Sequence, residues 1–239
     1  KTRCSPMKKT KSTLLALTAV LLSPMAANAD LMNGGFESGD LTGYTVGTLT
    51  GAGSAAVVMS NTTTYSPGTW GAAVTTSALE GSYMLAIGAG SANVWQEVSQ
   101  TITLLAGQVV QGSAFFDWGD YWVGPDAFPD GAKVEILDSM GAVVATPWLT
   151  DGTDYCLTFC QPSTGQAGAE SGWIDWSFAA GGAGDYTLVY GAKNTGDGGG
   201  PNQTFGYFDN ATTIPEPGML ALFGIGLVGM GLARRRRKV

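Results

Sequence analysis

Histidine is absent from all 239 residues. That gap removes Ser-His-Asp and Cys-His catalysis and every zinc site that needs an imidazole. Basic residues are nearly as scarce over most of the chain. Between Asp30 and Glu216 only Lys133 and Lys193 occur, against all nineteen acidic residues, a formal charge of −17 for that stretch. So acidic a surface repels phosphate backbones and anionic headgroups, which excludes nucleic acid as a partner, and it attracts divalent cations. Cysteine is rare too. Cys4 precedes the N-terminal apolar run, leaving Cys156 and Cys160 in "DYCLTFCQP". Two thiols without histidine make half a tetrahedral ligand set. In an extended strand their Cα atoms would stand ~13 Å apart, too far for a disulfide, so a Cys156–Cys160 bridge requires a turn across Leu157 to Phe159. Two free thiols are the alternative.

The missing cations sit at the two ends. Lys8, Lys9 and Lys11 precede the apolar run Leu14 to Leu22, and Ala27-Asn28-Ala29 follows as a small-x-small cleavage pattern. This order is that of a secretory signal peptide, too short in its apolar part to span a bilayer. Signal peptidase is expected to cut after Ala29, and the natural start is expected at Met7. At the other end Gly218 to Ala233 carries no charge and is followed by Arg234, Arg235, Arg236, Arg237 and Lys238. As a helix the run reaches ~24 Å, and snorkelling of the basic cluster helps it cross as a transmembrane anchor with the cluster inside.

The central residues alternate short β-prone runs with turn signals. "AKVEILD" sets Ala132, Val134 and Ile136 against Lys133 and Glu135; "WIDWSF" sets Ile174, Trp176 and Phe178 against Trp173, Asp175 and Ser177. "SAAVVM", "GSYMLAI", "VSQTITL", "VVQGSAFF", "DYTLVYG" and "FGYFDNAT" behave alike, while "NGG", "SGD", "SMG", "TDG" and "GGAG" punctuate them with glycines suited to positive φ. No window has apolar residues at helical spacing. The expected fold is all-β, an antiparallel β-sandwich over residues 30–212, between a signal peptide at 1–29 and a sorting and anchor segment at 213–239.

Two resemblances sharpen this. "IPEP" before the apolar run and "ARRRRKV" resembles the PEP-CTERM sorting signal of Gram-negative bacteria, with Pro215, Glu216 and Pro217 as the motif. It implies export, a membrane-anchored intermediate, processing by an exosortase, and a destination at the cell surface or in the exopolysaccharide matrix. "LMNGGFESGDLTGYTV", with Tyr44 where tryptophan is commoner, resembles the opening strand of galactose-binding-like jelly rolls, and Asp209-Asn210-Ala211 resembles the end of their last strand. Such folds set first and last strands side by side, which implies that Glu37 and Asp209 meet around a structural calcium.

The densest chemistry lies in "DWGDYWVGPDAFPDG". Asp117, Asp120, Asp126 and Asp130 are interleaved there with Trp118, Tyr121, Trp122 and Phe128. Calcium takes six to eight oxygens from such flexible, carboxylate-rich loops. Sugars take flat aromatic faces, here Trp118, Tyr121 and Trp122, together with carboxylates for their hydroxyls. Solvated aspartates over packed aromatics are the plain alternative. The expected role is non-catalytic, structural or glycan-binding. The catalytic alternative left without histidine is a carboxylate-pair glycoside hydrolase drawing on the Asp-rich loop and Glu37, Glu80, Glu97, Glu135 or Glu170, and no spacing singles out a pair.

Overall fold

The computed structural model describes residues 31–51, 54–64, 74–118, 130–152, 169–196, 204–214 and 226. Their strands are β1 (Thr45–Val46), β2 (Ala55–Met59), β3 (Asn61–Thr64), β4 (Val74–Ser77), β5 (Met84–Gly88), β6 (Trp95–Leu104) and β7 (Val109–Trp118). They continue as β8 (Gly131–Leu137), β9 (Val143–Asp151), β10 (Ala169–Glu170), β11 (Ile174–Ala179), β12 (Gly184–Lys193) and β13 (Phe205–Ile214). Sheet A has the order β1-β6-β12-β8-β9. Sheet B runs β10-β7-β13-β5-β2 with β11 also on β7, and β3 pairs with β4 separately. The ladders are antiparallel. The expected signal and membrane helices, Cys156, Cys160, Pro215 to Pro217 and Arg234 to Lys238 lie outside the described residues. Among those described, no helix is long and apolar enough to cross a membrane.

Period-two alternation builds the core between the sheets. Sheet A contributes Val98, Ile102, Leu104, Val134, Ile136, Trp148, Leu188 and Tyr190; sheet B contributes Leu85, Ile87, Val110, Phe116, Trp118, Trp176 and Phe208. Tyr190 sits at the centre, 4.6 Å from the Phe208 ring and 6.2 Å from Trp176 by ring centroids. Phe36 and Tyr44 stack 5.1 Å apart beside it. Burial pushes the Tyr190 phenol well above the ordinary tyrosine pKa, and the neighbouring Tyr44 adds to the effect.

The sequence-level expectation fails at the chain's start. Leu31 to Tyr44 is a series of turns rather than an opening strand, and only Thr45 and Val46 pair. Asn33 (φ 54°) and Phe36 (φ 57°) take the left-handed conformation, so the N–H of Phe36 bonds Asn33 O and that of Gly39 bonds Phe36 O. In "NGG", therefore, it is asparagine rather than glycine that turns the chain. In "SGD" and "SMG" the glycines do so, with φ of 74° at Gly39 and 81° at Gly141.

Glycine also serves packing. A Cβ on Gly112 would come within 2.7 Å of Trp176 Cζ2 and 3.1 Å of Ala211 Cα, so the bare position admits the indole beneath β7. Gly112→Val is expected to destabilise the body by about 1–3 kcal/mol in urea unfolding, because the indole has nowhere to retreat.

Candidate functional site

The outer face of sheet B, opposite the core, carries two adjoining bands. Phe115, Tyr207, Met84 and Ala86 form a second buried apolar cluster, with Met59, Trp173 and Phe205 packed on it. Phe115 meets Trp173 and Tyr207 edge-on at 5.7 and 5.8 Å, and Phe205 stacks on Tyr207 at 5.7 Å. Beside these rings lies a polar groove of about 250 Å³ lined by Gln111, Ser113, Asp175, Ser177 and Asn210, with Gly112 and Trp176 in its wall. The pairings Asp175 with Ser113 and Ser177 with Gln111 set these side chains in rows across β11 and β7. Ser113 Oγ donates to Asp175 Oδ1 at 2.7 Å, and the buried Trp176 indole nitrogen has no hydrogen-bond partner. The signal for this site was already visible: the polar halves of "VVQGSAFF" and "WIDWSF" are its floor, yet only pairing of β7 with β11 makes them neighbours.

The resemblance-based pair does come together. Glu37 Oε1 and Oε2 accept the amide of Ser82 at 2.9 Å each, and Oε1 accepts that of Tyr83 at 2.9 Å. Asp209 Oδ2 accepts the amides of Leu79 at 2.7 Å and Glu80 at 3.1 Å, while Oδ1 accepts that of Asn210 at 2.6 Å. Both carboxylates thus grip one loop, residues 79–83. A bulge in β13 between Asp209 and Thr212, with Asn210 at φ 55°, aims Asp209 there. Burial raises the Asp209 pKa above the ordinary value; the amides of Glu80, Asn210 and Leu79 work against that, and the charge of Glu37 adds to the rise. As a calcium site the pair offers two like charges on one loop, but few oxygens. Among the described residues no group of three or more Asp, Glu or Cys is placed to hold a metal, and the remaining ligands would have to be carbonyls or water.

Of the acidic–aromatic block, Asp117, Trp118 and Asp130 are described, and Asp120, Tyr121, Trp122 and Asp126 lie outside. Trp118 is corrected. It is 1% exposed in the main core, and a Cβ on Gly152 would stand 2.4 Å from its ring, so it offers no face to a sugar. Asp130 is 0% exposed; its Oδ1 accepts the Thr195 amide at 2.6 Å and its Oδ2 the Thr204 hydroxyl at 2.5 Å. Asp117 is buried opposite Phe205 of β13. These two aspartates flank the start of β13.

Both lysines of the body lie on the outer face of sheet A. Lys133 Nζ bonds Glu97 at 2.9 Å and Glu135 at 2.7 Å and stands 4.5 Å over the Trp95 ring, while Lys193 Nζ stands 5.1 Å over the same ring.

Residues 213–238 match the family model described as the PEP-CTERM protein-sorting motif, which marks the chain as an exported protein sorted by an exosortase. No curated protein matches the chain. Among solved structures, it is similar to a CBM61 module in complex with β-1,4-galactotriose, at 17% identity over 79% of this chain and 99% of that one, TM-score 0.43. A CBM22 xylan-binding domain from Paenibacillus barcinonensis aligns at 16% identity over 75% and 89%, TM-score 0.35. An arabinose-bound GH51 α-L-arabinofuranosidase aligns at 13% over 78% of this chain and 26% of that one, TM-score 0.41. At such scores the architecture rests on the two sheets themselves.

Asp209→Asn turns an amide NH₂ toward N–H donors, and about 1–3 kcal/mol of stability should be lost at neutral pH. Because the folded pKa is raised, the carboxyl's own contribution is complete below about pH 4 and lost as pH rises through the folded value. Urea unfolding across pH is expected to find the gap between wild type and Asp209→Asn narrowing over that window.

Proposed function

We propose that the sandwich is a non-catalytic carbohydrate-binding body of an exported protein, working at the cell surface or in the exopolysaccharide matrix of a Gram-negative bacterium. The observation behind this reading is the outer face of sheet B, where a hydroxyl-, amide- and carboxylate-lined groove adjoins the half-buried rings of Trp173 and Phe205. A sugar needs both: donors and acceptors for its hydroxyls and an apolar surface for its C–H bonds. Cleavage after Ala29 by signal peptidase exposes the body, residues 218–233 hold it at the inner membrane, and an exosortase acting at Pro215–Pro217 sends it onward. Two candidate acids of the catalytic alternative, Glu97 and Glu135, share one lysine, and Glu37 is turned onto backbone amides, which favours a binding rather than a hydrolytic role.

Affinity gels loaded with soluble galactan, xylan, polygalacturonate or alginate test the reading. The purified protein should be retarded by at least one, and Asp175→Ala should weaken retention about threefold to tenfold. Retention by none of these gels, or release of reducing ends by the purified protein, would overturn it.

Calcium is proposed as a structural ligand at Glu37 and Asp209, where it would neutralise two neighbouring like charges. At about 100 times its dissociation constant it should add ~2.7 kcal/mol and raise Tm by roughly 5–10 °C. The rise is expected at neutral pH and absent in Glu37→Gln; an equal rise in that variant would place the ion elsewhere.

A further inference from the structure

We infer that the end of the sandwich bears a second carbohydrate contact, a groove on Phe178 and Tyr186 that takes one uncharged sugar ring. It rests on the carbohydrate-binding reading above. The groove encloses about 480 Å³ between the β8–β9 turn and the β11–β12 turn, with Val144, Asp138 and Asp185 also in its lining. Phe178 and Tyr186 are half-buried, their rings 5.5 Å apart and inclined at 60°. The Tyr186 hydroxyl donates to Gly182 O at 2.9 Å, which fixes that ring against the turn.

The glycines of the wall point to access. Gly181, Gly182 and Gly184 take no positive φ, and a Cβ built on any of the three would meet no atom within 4 Å. They contrast with Gly112, bare because Trp176 needs the space, and with Gly141, bare because its φ is 81°. Neither sterics nor backbone conformation demands glycine at 181, 182 and 184, and each costs conformational entropy on folding. What their bareness leaves is an open approach to the two rings.

The polar rim is oriented in advance. Asp138 Oδ1 accepts the amides of Met140 and Ala142, each at 2.9 Å, and Asp185 Oδ1 accepts the Thr103 hydroxyl at 2.7 Å. The second oxygen of Asp138 is left as an acceptor for a ring hydroxyl, while Asp185, turned onto Thr103, adds negative charge at the edge. Among the described residues no cation lines the groove: the two lysines there converge on Trp95, on the face of sheet A. A uronate or sulfated ring would therefore meet like charge, and an uncharged one would not. Strand β11 stands between the two contacts, presenting Asp175 and Ser177 to the groove of sheet B and Phe178 to this one.

The test fills the second groove in the full-length protein, purified in mild detergent, with galactan and xylan gels as probes. A Cβ at Gly184 meets no atom within 4 Å, so with Gly184→Leu Tm should hold while retardation on the retaining neutral gel weakens about tenfold. Polygalacturonate should not retard the protein through this groove. If Gly184→Leu retains wild-type retardation while Asp175→Ala loses it, the second contact is refuted and the binding reading stands. If wild type is retarded by no gel, both fall. Should Gly184→Leu lower Tm, Phe178→Leu, which keeps apolar bulk against the core, decides by the same readout. A change in sedimentation with Gly184→Leu and none in retardation would make the groove a contact between copies of this chain, and overturns the proposal.

Discussion

The break in register at Asp209 to Thr212 is the constraint on which the rest of the body depends. Before it, β13 lies between β7 and β5 and sends Phe208 to the core and Tyr207 to the outer face. At it, the extra residue lets Asp209 reach the amides of loop 79–83, puts Asn210 in the groove wall, and returns Ala211 to the core against Gly34. A regular strand with Phe208 in the core would turn Asn210 inward and Ala211 outward, since strict alternation gives each residue one face. The N-terminal turns, the loop they grip and the groove of sheet B are therefore settled together. The left-handed φ needed at the bulge falls on asparagine, which tolerates it.

Alternation made much of the sandwich legible. Ala132, Val134 and Ile136 face the core while Lys133 and Glu135 face outward, and Ile174, Trp176 and Phe178 face inward while Asp175 and Ser177 do not. Strand β9 escaped notice because "VVATPWLTD" has a proline and follows the period loosely; its register slips twice against β8. It is an edge strand, where proline costs little. The candidate site was harder to read. Gln111 and Asp175 stand 64 positions apart in sequence, and nothing local says that their strands pair. Trp118 misled for the opposite reason: its aromatic–acidic neighbourhood suggested a surface, while its place in the alternation of β7, two beyond Phe116, assigns it to the core. Glu37 and Asp209 were paired by resemblance, and their amide partners belong to a loop that no sequence pattern links to them.

Charge is partitioned by face. Sheet A's outer side gathers both lysines, two glutamates and Trp95 into a compensated cluster. Lys133 is buried there although its alternation points it outward, because Gly191 beneath its stem and Trp95 beside it close over the methylenes. Among the described residues, the charged groups lining the two grooves at β11 are carboxylates. Low positive charge thus acts as a filter at the surface as well as a marker of composition, and it disfavours acidic polymers wherever no divalent ion intervenes.

Strand β13 ends at Ile214, and Pro215 begins the sorting tripeptide. In sequence, the tripeptide follows the last strand of the sandwich directly. Strand β13 is interior to sheet B, so any pull on the segment that follows it would be met by strands on both sides. It would be met first by the ladder of Thr212 to Ile214 on β7, and then by ladders on both sides from Phe205 to Phe208. Hydrogen bonds loaded this way are sheared in parallel rather than unzipped one by one. Were the C-terminal segment held, the sandwich would resist drag through these ladders.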